Sequence, residues 1–278
     1  MCLPGTVEAV REQIRREGPP RFDRRTAVVG AVGAAVAAAF PTAAVAGRSA
    51  KKRKIRDLTH VFAAGFPVFA FDPPARETLV TVPTAGFYAQ RWTFGEHSGT
   101  HMDAPGHFIE DGRRSPQITP EELVVPIVVV DVSKRAKDDP DAVVTPDDLL
   151  RFESKHGRIP DGAIVCMDSG WGKKIDDPLA YKGGAAFPDY HFPGFGVDAI
   201  DWLLANRNAG GIGVDTMSLD HGPSLTFTVH TMWLGSDRYG LENLNNLHKI
   251  PPTGATAYVG LIPWEEGSGG PCRVLAIW

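Results

Sequence analysis

After residue 46 the sequence predicts one mixed α/β domain with more strand than helix. Three observations predict it. Short runs rich in Val and Ile recur at 124–132, 162–168, 211–215, 257–262 and 273–278, and their length and β-branching mark buried strands. Helical periodicity is confined to a few segments. The 30 Gly and 23 Pro residues imply long loops, where binding groups often sit.

The N-terminus has a different character. Arg24-Arg25 precedes a run of Ala, Val and Gly from Ala27 to Ala46, and Ala44-Val45-Ala46 is a small-x-small cleavage site. This is the layout of a secretory signal over residues 1–46, with the arginine pair suggesting the twin-arginine route and a periplasmic or secreted product. Pro41 and the weak hydropathy of alanine argue against a stable membrane span. The basic cluster at 51–54 reads as a solvated linker. Cys2 leaves with the signal, Cys166 reads as a core residue, and export would permit a Cys166–Cys272 disulfide.

From 47 to 278 there is no internal repeat and no obvious linker. A strand is expected near Arg91–Phe94. It leads into an extended segment from His97 to Asp103, with a turn at Pro105-Gly106. Residues 145–157 predict a helix with Thr145 as N-cap, Pro146 in the first turn and Gly157 at the end. Residues 197–211 predict a second helix stopping at a Gly pair. The alternation at 225–230 fits a strand or a helix edge, and 241–247 predicts a short helix. A net charge of -4 leaves no basic footprint for nucleic acid.

The chemistry concentrates in HSGTHMDAPGH (97–107). In an extended chain, side chains alternate, so His97, His101 and Asp103 face one side, with Gly99 leaving room between them. That N,N,O set suits zinc and is tolerated by manganese or iron. Three ligands with an open position is the catalytic arrangement, and a structural zinc would favour thiolates. His107, beyond the Pro-Gly turn, is placed to act as general base or as a further ligand. Downstream donors are Asp215, Asp220, His221, His230, Asp237 and Glu242. Of these, His230 and Glu242 are expected to complete the site or to bridge a second ion. His60, His156, His221 and His248 read as surface or hydrogen-bonded core residues. MDSGWG (167–172) lacks G-x-S-x-G, GGIGVD lacks the dinucleotide fingerprint, and there is no Walker A. Phe87, Trp92 and Trp171 are candidates for binding a flat aromatic substrate, with the core as the other reading.

The same eleven residues resemble the H-x-G-T-H-x-D-x-P-x-H signature of the cyclase-like metal-dependent hydrolase family, of the bacterial kynurenine formamidase and isatin hydrolase type. The resemblance continues through DLTH (57–60), DSGW (168–171), FPGF (192–195), GVDTMSLD (213–220), His230 with Glu242-Asn243, and GGPCRVLAI (269–277). It covers about residues 55 to 278. It implies a swivelling β/β/α fold, assembly as a dimer or tetramer, and zinc or manganese as one or two ions. His97, His101, Asp103, His230 and Glu242 match the family's ligands and His107 its catalytic histidine. The implied reaction is hydrolysis of a C–N bond in a small aryl formamide or cyclic amide, as in tryptophan catabolism through kynurenine. An export signal departs from the intracellular setting of kynurenine breakdown. A cyclic-ester hydrolase using the same site, or an exported metal- and ligand-binding protein without turnover, are the alternatives.

Overall fold

The computed structural model describes residues 53–278, together with Ala9, Glu12, Gln13 and residues 15–18. Of the signal expected over residues 1–46, the arginine pair, the apolar run and the cleavage site (24–46) lie outside the described residues. No described helix is long and apolar enough to cross a membrane.

In chain order the elements are β1 (Ile55–Asp57), β2 (Ala75–Val80), β3 (Ala89–Thr93), β4 (His101–Asp103), β5 (Val124–Asp131), β6 (Val143–Val144), α1 (Pro146–His156), β7 (Ile164–Asp168), β8 (Gly194–Phe195), α2 (Val197–Asn206), β9 (Gly211–Val214), α3 (Thr228–Gly235), β10 (Tyr239–Glu242), β11 (Ala255–Leu261) and β12 (Gly269–Ile277), with short helical turns between them. Arg76–Thr93 forms a small compact unit, and Arg53–Ala75 with Phe94–Trp278 the main one. The small unit is built on the β2–β3 pair, with an Arg91–Glu77 ion pair at 3.1 Å and Arg76 over the Trp92 ring.

The main unit holds an eight-stranded sheet in the order β1-β12-β11-β5-β7-β9-β10-β4, and β4 also pairs with β12. That last pairing closes the sheet into a barrel-like ring, leaving β1 outside it on β12. β5, β7, β9 and β10 run parallel, linked through helices as parallel strands require. Alternate residues of these strands enter two cores. Val128, Val130, Val165, Met167, Ile212 and Val214 pack with Leu149 and Phe152 of α1, Leu203 of α2 and Trp233 of α3. Ile127, Val129, Ile164 and Cys166 pack instead with Met102, Leu241, Val259 and Val274. Burial on both faces is why these strands read as continuous apolar runs rather than as alternation. Cys166 and Cys272 are both buried free thiols, so the disulfide that export would permit is not formed.

Two helix expectations need correction. α2 stops at Asn206 because Arg207 is already extended, and the Gly pair leads into β9. The helix expected over 241–247 is not present. Tyr239–Leu241 is hydrogen-bonded into the sheet beside β9, and Asn243 and Asn246 adopt positive φ angles of 54° and 57°, which a helix interior excludes. The 225–230 stretch resolves as the start of α3, with Phe227 left-handed at its N-cap.

α1 is capped as expected. The Asp148 amide donates to Thr145 Oγ1 at 3.3 Å and the Asp148 carboxylate accepts from the Thr145 amide at 2.9 Å. Asp148 is buried and also accepts from Arg135 at 2.6 Å and Arg151 at 2.7 Å. Burial pushes its carboxyl up, but Arg135, Thr145 and Arg151 outweigh burial and hold it at about 2, below the ordinary 3.8. The stabilisation is therefore complete above pH 3.8 and lost as pH falls toward 2. Asp148→Ala is expected to lower stability by about 1–3 kcal/mol at neutral pH. Urea unfolding at pH 7 and near pH 2 checks this, and the difference from wild type should shrink at the lower pH.

Candidate metal centre

β4 carries His101 and Asp103 on one face and sends Met102 into the core. The antiparallel register sets Glu242 of β10 directly opposite His101. His101 Nε2 lies 3.3 Å from Asp103 Oδ1 and 3.3 Å from Glu242 Oε2. α3 adds His230, with Nε2 3.1 Å from Glu242 Oε1 and 3.6 Å from Asp103 Oδ2. His97 Nδ1 approaches Asp103 Oδ1 at 2.6 Å. His107, in the turn Pro105–His107, stacks on the His97 ring at a centroid distance of 3.7 Å.

The path from His97 to His101 is not the continuous extended segment expected. Strand geometry begins only at His101, because Gly99 turns the chain at φ 68°. A Cβ at Gly99 would also come within 2.5 Å of the Phe62 ring. Gly99 thus serves the turn and Phe62, and does not act as a spacer between ligands.

Hydrogen bonds outside the cluster aim its side chains. His101 Nδ1 donates to the Gly99 carbonyl at 2.9 Å, and Asn243 Nδ2 donates to the same oxygen. His230 Nδ1 donates to Asp220 Oδ2 at 2.7 Å. Asp220 also accepts from the Val229 and His230 amides, satisfying free donors at the start of α3. Both rings therefore aim Nε2 at Asp103 and Glu242, the bracing usual for metal-ligating imidazoles.

Electrostatics follow from burial and crowding. Burial pulls His101 down, but Asp103 and Glu242 overcome it and raise the ring to about 10. His230 is raised well above its ordinary value against the same burial, by Asp103, Asp220 and Glu242. Burial would push Asp103 up, yet the three imidazoles hold it well below the carboxylate range. His107 goes the other way: burial, helped by His97 and His230, lowers it to about 4.

The residues fit a divalent cation. Asp103 Oδ2 is buried without a hydrogen-bond partner, an arrangement costly enough to need an explanation. Two groups of donors share Asp103: His97, Asp103 and His107, and His101, Asp103 and Glu242, each with ligand atoms within 4.8 Å of one another. Imidazole and carboxylate without thiolate suits zinc, manganese or iron.

The cluster opens into a cavity of about 380 Å³ whose other wall is Phe69, Phe71, Phe108, Phe187, Phe227 and Met217. Trp171 is not part of that wall. It is buried with Tyr181, Tyr190 and Phe192, and its Nε1 donates to the Tyr181 carbonyl at 2.7 Å. Phe87 and Trp92 belong to the small β2–β3 unit. The wall phenylalanines are scattered from position 69 to 227, so no local pattern could reveal them. Of the other downstream donors, Asp215 accepts from Ser169 and Trp171, and Asp237 pairs with Arg113. Among the remaining histidines, the His60 amide donates to Thr100 and His156 is exposed at the end of α1.

Residues 56–221 match the Cyclase family, described as "Putative cyclase". The chain is similar to isatin hydrolase of Roseibium aggregatum, 36% identical over 200 residues that cover 69% of this chain and 75% of the relative. Its fold is similar to that of isatin hydrolase A from Ralstonia solanacearum, at 35% identity and a TM-score of 0.77 over 81% of this chain and 92% of that one. An isatin hydrolase bound to the product analogue thioisatinate matches at 30% identity and a TM-score of 0.77, over 81% and 92% of the two chains. With the signature, the barrel and the clustered donors in agreement, the chain belongs to the cyclase-like metal-dependent hydrolase family.

Proposed function

We propose that this chain is a metal-dependent hydrolase that opens the C–N bond of a small cyclic amide fused to an aromatic ring, of the isatin type. The observation that carries this is a cavity with two unlike walls: phenylalanines and Met217 on one side, buried imidazoles and carboxylates on the other. A flat bicyclic amide has the same two-sided chemistry, and the cavity volume suits a ligand of that size. The isatin hydrolases it resembles, one of them holding thioisatinate, support the same substrate class.

His97, His101, Asp103, His230 and Glu242 would hold zinc or manganese, and the two donor groups meeting at Asp103 suit one ion or two. Such a cation, when bound, polarises a carbonyl and makes water a nucleophile near neutral pH. The phenylalanine wall stacks the substrate ring and excludes bulk water. His107 is neutral at physiological pH because burial lowers it. It can take a proton from the attacking water and return it to the amide nitrogen as the C–N bond breaks. The twin-arginine-type segment at 24–46 supports export before the enzyme acts.

The zinc- or manganese-loaded protein is expected to turn over isatin faster than N-formylkynurenine or a benzo-fused lactone. Binding of isatin without any product would contradict the catalytic reading. His107→Gln should keep the cation, as judged by metal analysis, while lowering kcat by about 10²–10⁴-fold. Loss of the cation in that variant, as expected for His101→Ala, would make His107 a ligand and not the base. Binding should also release protons, because His101 and His230 are charged in the cation-free protein and must be neutral to ligate. About two protons per cation at pH 7 should appear in calorimetry run in buffers of different ionisation enthalpy. The raised His101 pKa fixes the sign for stability. Its contribution to the cation-free protein is complete below pH 6.5 and lost as pH rises through about 10.

A further inference from the structure

His101 and His230 are braced through Nδ1 and present Nε2. His97 is arranged the opposite way. Its Nδ1 faces Asp103, and its Nε2 lies 2.9 Å from Ser268 Oγ. Ser268 Oγ lies in turn 2.5 Å from Glu96 Oε1, and the Ser268 amide donates to Glu96 Oε2 at 3.1 Å. Resting on the metal-centre reading above, we infer that Ser268 and Glu96 are positioning residues that fix the His97 proton on Nε2 and so make Nδ1 its ligating atom.

The direction of the chain carries the inference. A carboxylate only accepts, so the single hydroxyl proton of Ser268 is committed to Glu96. Ser268 Oγ can then only accept from His97, which must donate from Nε2. Reversing the order would face two oxygen lone pairs at 2.5 Å with no hydrogen between them. With Nε2–H fixed, Nδ1 is a bare lone pair 2.6 Å from Asp103 Oδ1. Two lone pairs that close repel unless both share a positive charge. The local sequence makes room for this chain: a Cβ at Gly269 would come within 2.8 Å of His97 Cε1 and 2.2 Å of the Met102 carbonyl oxygen. Glu96 and Ser268 are 172 residues apart in sequence, so the link exists only after β12 has docked on β4.

The test uses the full-length protein and zinc alone. ¹⁵N-histidine spectra of the zinc-loaded wild type are expected to place the His97 proton on Nε2. Ser268→Ala should bind zinc about 10- to 100-fold more weakly in chelator competition, and Ser268→Thr, which keeps the hydroxyl, should restore affinity. Glu96→Gln, whose amide can donate to Ser268 and reverse the chain, should weaken binding as Ser268→Ala does. The thermal midpoint of the cation-free variants should match that of the cation-free wild type, separating positioning from folding. A His97 proton on Nδ1, or equal zinc affinity in wild type and Ser268→Ala, would overturn the assignment while leaving the metal centre intact. A wild type that takes up no zinc would sink the metal-centre reading, and this assignment with it.

Discussion

The buried carboxylate of Asp103 is the constraint on which the rest of the site depends. It sits at the seam where the three-residue β4 is hydrogen-bonded to β10 on one side and to β12 on the other. It is 1% exposed, and a dry anion is tolerated only where concentrated positive charge offsets its desolvation. His97, His101 and His230 converge on it for that reason. Barrel closure, imidazole protonation and cation binding are therefore linked in one equilibrium. In the metal-centre reading, protons raised onto His101 and His230 offset the buried carboxylates without a cation and leave when one binds. A charged group at this seam without such compensation would work against the pairing of β4 with both neighbours.

In the proposed function, chemistry and substrate choice fall to different parts of the fold. The charged wall stands on regular elements: His101 and Asp103 on β4, Glu242 on β10 and His230 on α3. Their separations are fixed by strand register and by the cap that Asp220 gives α3. The aromatic wall comes from connecting segments around Phe69, Phe108, Phe187, Met217 and Phe227. Loops tolerate substitution better than strands, so one hydrolytic centre can serve different ring systems by changing this wall alone.

Much of the frame was legible in the sequence because strands buried on both faces leave unbroken Val and Ile runs, and because Thr145 and Pro146 announce a helix start. His101 and Asp103 were legible as neighbours because a period of two needs only local chain geometry. What escaped is non-local. Glu242 was expected on a short helix, since LENLNNL mimics helical spacing, yet sheet pairing of Leu241 with β9 and of Glu242 with β4 overrides propensity there. Its placement opposite His101 is a matter of register that no local pattern encodes. Trp171 was a candidate for the substrate only as an aromatic ring, with the core as the other reading, and its indole finds a buried carbonyl and a place in an aromatic core. Ser268 and Glu96 carry no motif, and their partnership with His97 follows only from closure of the ring.

Anomalous diffraction from crystals grown with zinc or manganese, recorded above and below the metal's absorption edge, measures directly whether a cation compensates Asp103. A peak within bonding distance of Asp103 and bracketed by His101 Nε2 and Glu242 is the predicted result. Crystals saturated with metal that show no peak there, with Asp103 held by imidazolium protons alone, would contradict it.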